Sequence, residues 1–157
     1  MNILVLCTGN SARSILLESI LNRQGAGRVR AYSAGSTPSG AVHPQSLALL
    51  ERLGYPTADL RSKSWDRFAA PDAPPMDIVL TVCDNAASEP CPYWPGAPVR
   101  GHWGIPDPAA AAPETQEAAF EAAYDTLARR AEALLALPIE TMEPEDLGAA
   151  LSRISTL

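Results

Sequence analysis

What this chain lacks narrows its function before any motif is read. Cysteine is scarce: only Cys7, Cys83 and Cys91 occur among 157 residues, which is no disulfide framework of the kind that holds small secreted domains together. No apolar run approaches the roughly 18 residues that a membrane span needs. The N-terminus enters an apolar run directly, without a basic region or a small-residue cleavage site, so the expected location is the cytoplasm and no membrane is implied. The net charge is −6 and basic residues form no block, whereas a binder of phosphate backbones concentrates positive charge on one surface. Nucleic acid is therefore not an expected partner. Of the two histidines, His43 stands before a proline in a loop and carries no signal, and His102 is expected to be structural.

What is present fits an ordinary globular protein. A hydrophobic content of 46% with 19% charged residues, in a chain of this length, predicts one domain with one sizeable core. The chain is organised around residues 2–14, Asn-Ile-Leu-Val-Leu-Cys-Thr-Gly-Asn-Ser-Ala-Arg-Ser. Ile3 to Leu6 is short, apolar and bounded by a glycine turn, which predicts a buried strand. Thr8, Gly9, Asn10 and Ser11 favour a loop, and Ser11 is expected to cap a helix beginning near Ala12 with Ile15, Leu16, Ile20 and Leu21 on its inner face.

A strand, a small-residue loop and a helix N-terminus together make an anion cradle. Inward amide hydrogens and the helix dipole favour negative charge, and Arg13 can fork two N–H bonds onto one oxyanion. The expected substrate-binding set is Thr8, Gly9, Asn10, Ser11, Ala12, Arg13 and Ser14. Cys7 lies at the floor of that loop, where the same field would favour its thiolate and make it a nucleophile. Ser14 is placed to donate to that sulfur. The Cys-x5-Arg spacing by itself arises by chance about 0.2 times in a chain of this composition. Its surroundings give it weight.

Further along, Val29–Ser33 predicts a second strand. Leu47, Leu49, Leu50 and Leu53 predict a helix stopped by Gly54 and Pro56. Ser64–Phe68 suggests a short helix, Met76–Val82 a third strand, residues 84–98 a loop, and Val99–Trp103 a fourth strand. Pro113–Leu137 predicts a long Ala-rich helix, and Pro144–Ile154 a further one. The alternation implies an α/β fold, a single three-layer domain with a parallel four-stranded sheet and helices on both faces. Residues 1–137 are expected to form the catalytic domain and 138–157 a partly helical C-terminal extension. In an open parallel sheet the strands' carboxyl ends lie along one edge, so Cys7, Cys83 and Asp107, each following a strand, can share one crevice.

The segment VLCTGNSARS resembles the phosphate-type loop of the low-molecular-weight protein tyrosine phosphatase superfamily. Thr81-Val82-Cys83-Asp84, Cys91-Pro92, His102-Trp103-Gly104 and Asp107-Pro108 sharpen the resemblance to its thioredoxin-coupled arsenate reductase branch. The resemblance runs from Met1 to about Leu137 and implies strand order 2-1-3-4. It also implies a mechanism in which Cys7 attacks arsenate held by the loop and Arg13 while Asp107 acts as general acid. Cys83 then takes Cys7 into a disulfide, and Cys91 takes Cys83 into a second one. No tightly bound cofactor is implied; the reductant is external, thioredoxin or a glutaredoxin-like donor. Asn10, Glu18, Ser33 and Asp66 match positions where some relatives bind potassium, and all are oxygen donors suited to a hard cation. Ala12 stands where a second loop cysteine is familiar. The rival reading is phosphomonoester hydrolysis through a cysteinyl-phosphate, with Cys83 and Cys91 idle. A catalytically silent anion sensor is the third, disfavoured by the intact Cys7, Arg13 and Asp107.

Overall fold

A computed structural model of the chain describes residues 1–88 and 94–157. Four parallel strands, β1 (Asn2–Cys7), β2 (Arg30–Gly35), β3 (Ile78–Thr81) and β4 (Val99–His102), form one sheet in the order β2-β1-β3-β4. This is the expected 2-1-3-4 order. Central β1 is buried on both faces, which is why it reads as a continuous apolar run rather than an alternating one.

The two faces are covered unequally. Ile3, Val5 and Cys7 enter the larger core with Ile78 and Leu80, under helices α1 (Arg13–Gln24), α5 (Gln116–Leu135) and α6 (Pro144–Ile154). Leu4 and Leu6 turn the other way, onto Phe68, Met76, Val79 and Trp94. There the covering helix is the single turn α3 (Asp66–Ala69), and Trp65 meets Trp94 edge-on. Helix α2 (Pro44–Arg52) lies against α1 and α5.

Three local expectations change. Helix α1 is buried all round from Ser14 to Leu21 rather than along one stripe, because sheet and helices enclose it on every side. Ser11 does not cap it: the N-cap is Ala12, with no side-chain hydrogen bond. Within 84–98, read as loop, Asp84–Ser88 forms a helical turn, α4, with the Asp84 carboxylate favourable in its first turn.

The C-terminal stretch joins the main core. Leu147, Leu151 and Ile154 of α6 are buried with the α1 and α5 side chains, the Trp103 indole N–H donates to the Leu151 carbonyl at 3.0 Å, and α6 lies on β4. Residue 137 therefore does not mark the edge of the core. Among the described residues no helix is long and apolar enough to cross a membrane.

Candidate active site

The loop between β1 and α1 is held from behind by its carbonyls. Thr37, Ser39 and His43 donate main-chain N–H groups to Thr8, Gly9 and Ser11. The hydroxyls of Ser62 and Ser46 add bonds to Gly9 and Ser11, both at 3.0 Å. With these carbonyls engaged behind the loop, the main-chain N–H groups of Gly9, Asn10, Ser11, Ala12, Arg13 and Ser14 have no protein acceptor among the described residues. Unpaired N–H groups at a helix N-terminus are the donors that an anion cradle uses.

Two backbone features allow the loop to close. Asn10 adopts φ +47°, a left-handed conformation that asparagine tolerates better than most residues. At the end of β2, Gly35 lies so close that a Cβ there would collide with the carbonyls of Thr8 and Cys7, so a larger residue would push the loop off the sheet.

Arg13, the first residue of α1, spans the mouth of the loop. Its Nη1 donates to the Ile105 carbonyl at 3.0 Å, and its Nη2 lies 3.8 Å from Asp107 Oδ2. Its Nε is buried without a partner. An orphaned guanidinium N–H beside a ring of inward amides is what an oxyanion would satisfy. Asp107 serves a second purpose, accepting the Ala109 N–H through Oδ1 at 3.0 Å and capping the short turn Pro108–Ala110. Its side chain is 44% exposed, open to an incoming substrate.

Cys7 and Cys83 are both free and buried, and they lie in near contact, each the largest influence on the other's proton affinity. In this coupled pair Cys83 is held below the ordinary thiol range and Cys7 above it, the reverse of the order that the loop field alone favours. Cys83 receives the Cys7 S–H, and also the Thr8 N–H at 3.3 Å, the Thr8 hydroxyl at 3.5 Å and the Ala86 N–H. Against burial, these bring it down to about 5. Cys7 is pushed up by its bond to Cys83 and then by burial, which the Arg13 charge only partly opposes. Thr8, expected in the substrate-binding set, here serves Cys83. Cys91 lies outside the described residues.

The four potassium candidates do not assemble. Asn10, Ser33 and Glu18 form one buried chain, but Asp66 is exposed on α3, and among the described residues no hydrogen bond or ion pair joins it to them. The Asn10 carbonyl oxygen is occupied by the Lys63 N–H at 2.9 Å, and the Glu18 carboxylate faces the Lys63 ammonium at 3.9 Å. The donor set does not fit a potassium ion, since an ammonium already faces its one assembled carboxylate. Among the described residues no group of three His, Cys, Asp or Glu side chains could hold a metal. Lys63 was not legible as a site residue, although it is the sole lysine of the chain. His102 is structural, as expected: it bonds Thr81 Oγ1 at 2.7 Å and Asp84 at 2.8 Å, tying β4 to β3 and α4.

A parallel sheet carrying a Cys-x5-Arg anion loop at its carboxyl edge, with an aspartate opposite the arginine, defines a class. The family model described as low molecular weight phosphotyrosine protein phosphatase matches residues 2–146, and the chain belongs to that family. Within it, the chain is 33% identical over 127 residues to the arsenate reductase of Halalkalibacterium halodurans, covering 80% of this chain and 88% of that one. It is 29% identical over 106 residues to the glutaredoxin arsenate reductase of a Synechocystis species, over 68% and 77% of the two chains. A solved structure described as an arsenate reductase in the phosphate binding state superimposes with a TM-score of 0.70 at 26% identity, over 86% of this chain and 96% of that one.

Proposed function

We propose that this chain reduces arsenate to arsenite, with Cys7 as nucleophile and a Cys7–Cys83–Cys91 relay reset by thioredoxin or a glutaredoxin-like dithiol. The observation that carries this reading is Cys83, a second buried free sulfur in near contact with the sulfur at the floor of the anion loop. Simple phosphoryl transfer has no use for it. The names of the relatives above point the same way.

In the proposed reaction the arsenate dianion seats on the amides of residues 9–14 and on Arg13. Cys7 passes its proton to Cys83 and attacks arsenic, while Asp107 protonates the departing oxygen, which leaves as water. Cys83 then gives its proton to an arsenic-bound oxygen and attacks Cys7 Sγ. The S–As bond breaks, its electron pair stays on arsenic, and arsenite leaves as a Cys7–Cys83 disulfide forms. Cys91 thiolate attacks Cys83, Cys7 departs as thiolate, and the resulting Cys83–Cys91 disulfide is reduced by exchange with the external dithiol. No step needs a bound cofactor or a metal.

The hydrolase reading keeps Cys7, Arg13 and Asp107 in the same places and ends at a cysteinyl-phosphate. An assay with arsenate, thioredoxin, thioredoxin reductase and NADPH, run beside hydrolysis of an aryl phosphate, separates the two. Arsenate-dependent NADPH oxidation is expected. Cys83→Ser should abolish multiple turnover and leave residual phosphatase activity; arsenate turnover by Cys83→Ser at the parent rate would end the relay reading.

A further inference from the structure

The pair of buried Glu18 and part-buried Lys63 has no part in that scheme, yet it is wired into the loop. The wiring has a fixed direction. The Lys63 main-chain N–H can donate only to an oxygen, so Asn10 must present Oδ1 to it and Nδ2 to Ser14 and Ser33, at 2.8 and 2.9 Å. An amide nitrogen is no acceptor, so both serine oxygens accept. The Ser33 hydrogen is thereby committed to Glu18 Oε1 at 3.1 Å, and the Ser14 hydrogen is left for the anion site. Asn10, Ser14 and Ser33 are fully buried, and Glu18 is 9% exposed.

This chain requires an acceptor at its end, and an isolated buried carboxylate would not stay ionised. Burial does push Glu18 up, opposed mainly by Lys63, and pushes Lys63 down, opposed mainly by Glu18. The Lys63 ammonium is itself held by the Arg61 carbonyl at 2.9 Å, and the Lys63 carbonyl accepts from Gly35 at the end of β2. We infer that Lys63 is a positioning residue for the anion loop: its ammonium is the built-in counter-ion of Glu18, and through Ser33 that pair orients Asn10 and Ser14, so the loop needs no external monovalent cation. The inference rests on the loop being an oxyanion site and is indifferent to whether reduction or hydrolysis follows.

The test uses inorganic phosphate as probe, with its dissociation constant measured by calorimetry for the parent, Lys63→Met and Lys63→Met/Glu18→Gln. Lys63→Met leaves Glu18 to take up a proton, and the new carboxyl O–H competes with Ser33 as a donor and breaks the direction of the chain, so phosphate binding should weaken at least about tenfold. The double variant removes both charges and keeps an amide oxygen to accept from Ser33; it should recover to within about threefold of the parent. A packing role for the lysine stem would not be rescued this way. Parent affinity should be equal in potassium and sodium chloride at one ionic strength. Parent-like binding by Lys63→Met, no recovery in the double variant, or a tenfold loss of parent affinity in sodium would each overturn the inference. If Lys63→Met does not fold, a folded, phosphate-binding double variant supports it and an unfolded one counts against it. A parent that binds no phosphate at all refutes instead the oxyanion site itself.

Discussion

Placing the negative charge on Cys83 rather than Cys7 makes a sharp prediction. With Cys83 at about 5, about 99% of it is thiolate at pH 7, against about 1% for a thiol at the ordinary value of 9.0. The largest cause is the hydrogen bond from Cys7; the Thr8 and Ala86 donors are smaller and burial opposes all three. Replacing Cys7 by alanine, in a Cys91→Ser background that leaves Cys83 as the sole thiol, should raise the midpoint by about one unit or more and cut the thiolate fraction near pH 5 severalfold. Thiolate absorbance near 240 nm, followed from pH 4 to 10, reads this directly. The parent with Cys91→Ser should show one step near pH 5. The sign for the reaction follows: the group is depressed, so the first turnover with arsenate should lose its poised thiolate only as pH falls through about 5. A midpoint unmoved by Cys7→Ala, or a low-pH step that survives Cys83→Ser, would refute the reasoning.

Three further outcomes follow from the geometry. Asp107→Asn keeps the cap on Ala109 but cannot supply a proton, and should lower the single-turnover rate by about a hundredfold or more with phosphate affinity little changed. Gly35→Ala should cost about 1–3 kcal/mol in chemical denaturation, because the added carbon meets backbone carbonyls that cannot rotate away. Leu151→Ala should cost about 2–5 kcal/mol, since α6 belongs to the main core; a loss below about 0.5 kcal/mol would make the helix peripheral.

The sequence made the sheet and the loop legible because both rest on local rules. A short apolar run emptying into Thr8-Gly9-Asn10-Ser11 and then Arg13 carries its strand, turn and helix start in consecutive residues, and crossovers between parallel strands then bring Cys83 and Asp107 to the same edge. The α4 turn escaped because five residues are too few to show a helical period among Asp, Asn and Pro. The order of the two sulfurs is not legible locally, because the loop field on Cys7 is a property of consecutive residues, while the Thr8 and Ala86 donors to Cys83 exist only once β3 lies beside β1. Resemblance and oxygen-donor chemistry place Asp66 with Glu18; the fold leaves Asp66 on the surface and sets Lys63 against Glu18 instead.

The central claim is that two further sulfurs carry off the oxidation of Cys7, and disulfide mapping by mass spectrometry after one turnover with arsenate, in the absence of reductant, tests it most directly. A Cys83–Cys91 disulfide with Cys7 free is the predicted product, with Cys7–Cys83 accumulating instead when Cys91 is replaced by serine. Arsenite released with Cys83 still a free thiol, or no disulfide and no arsenite at all, would contradict the relay.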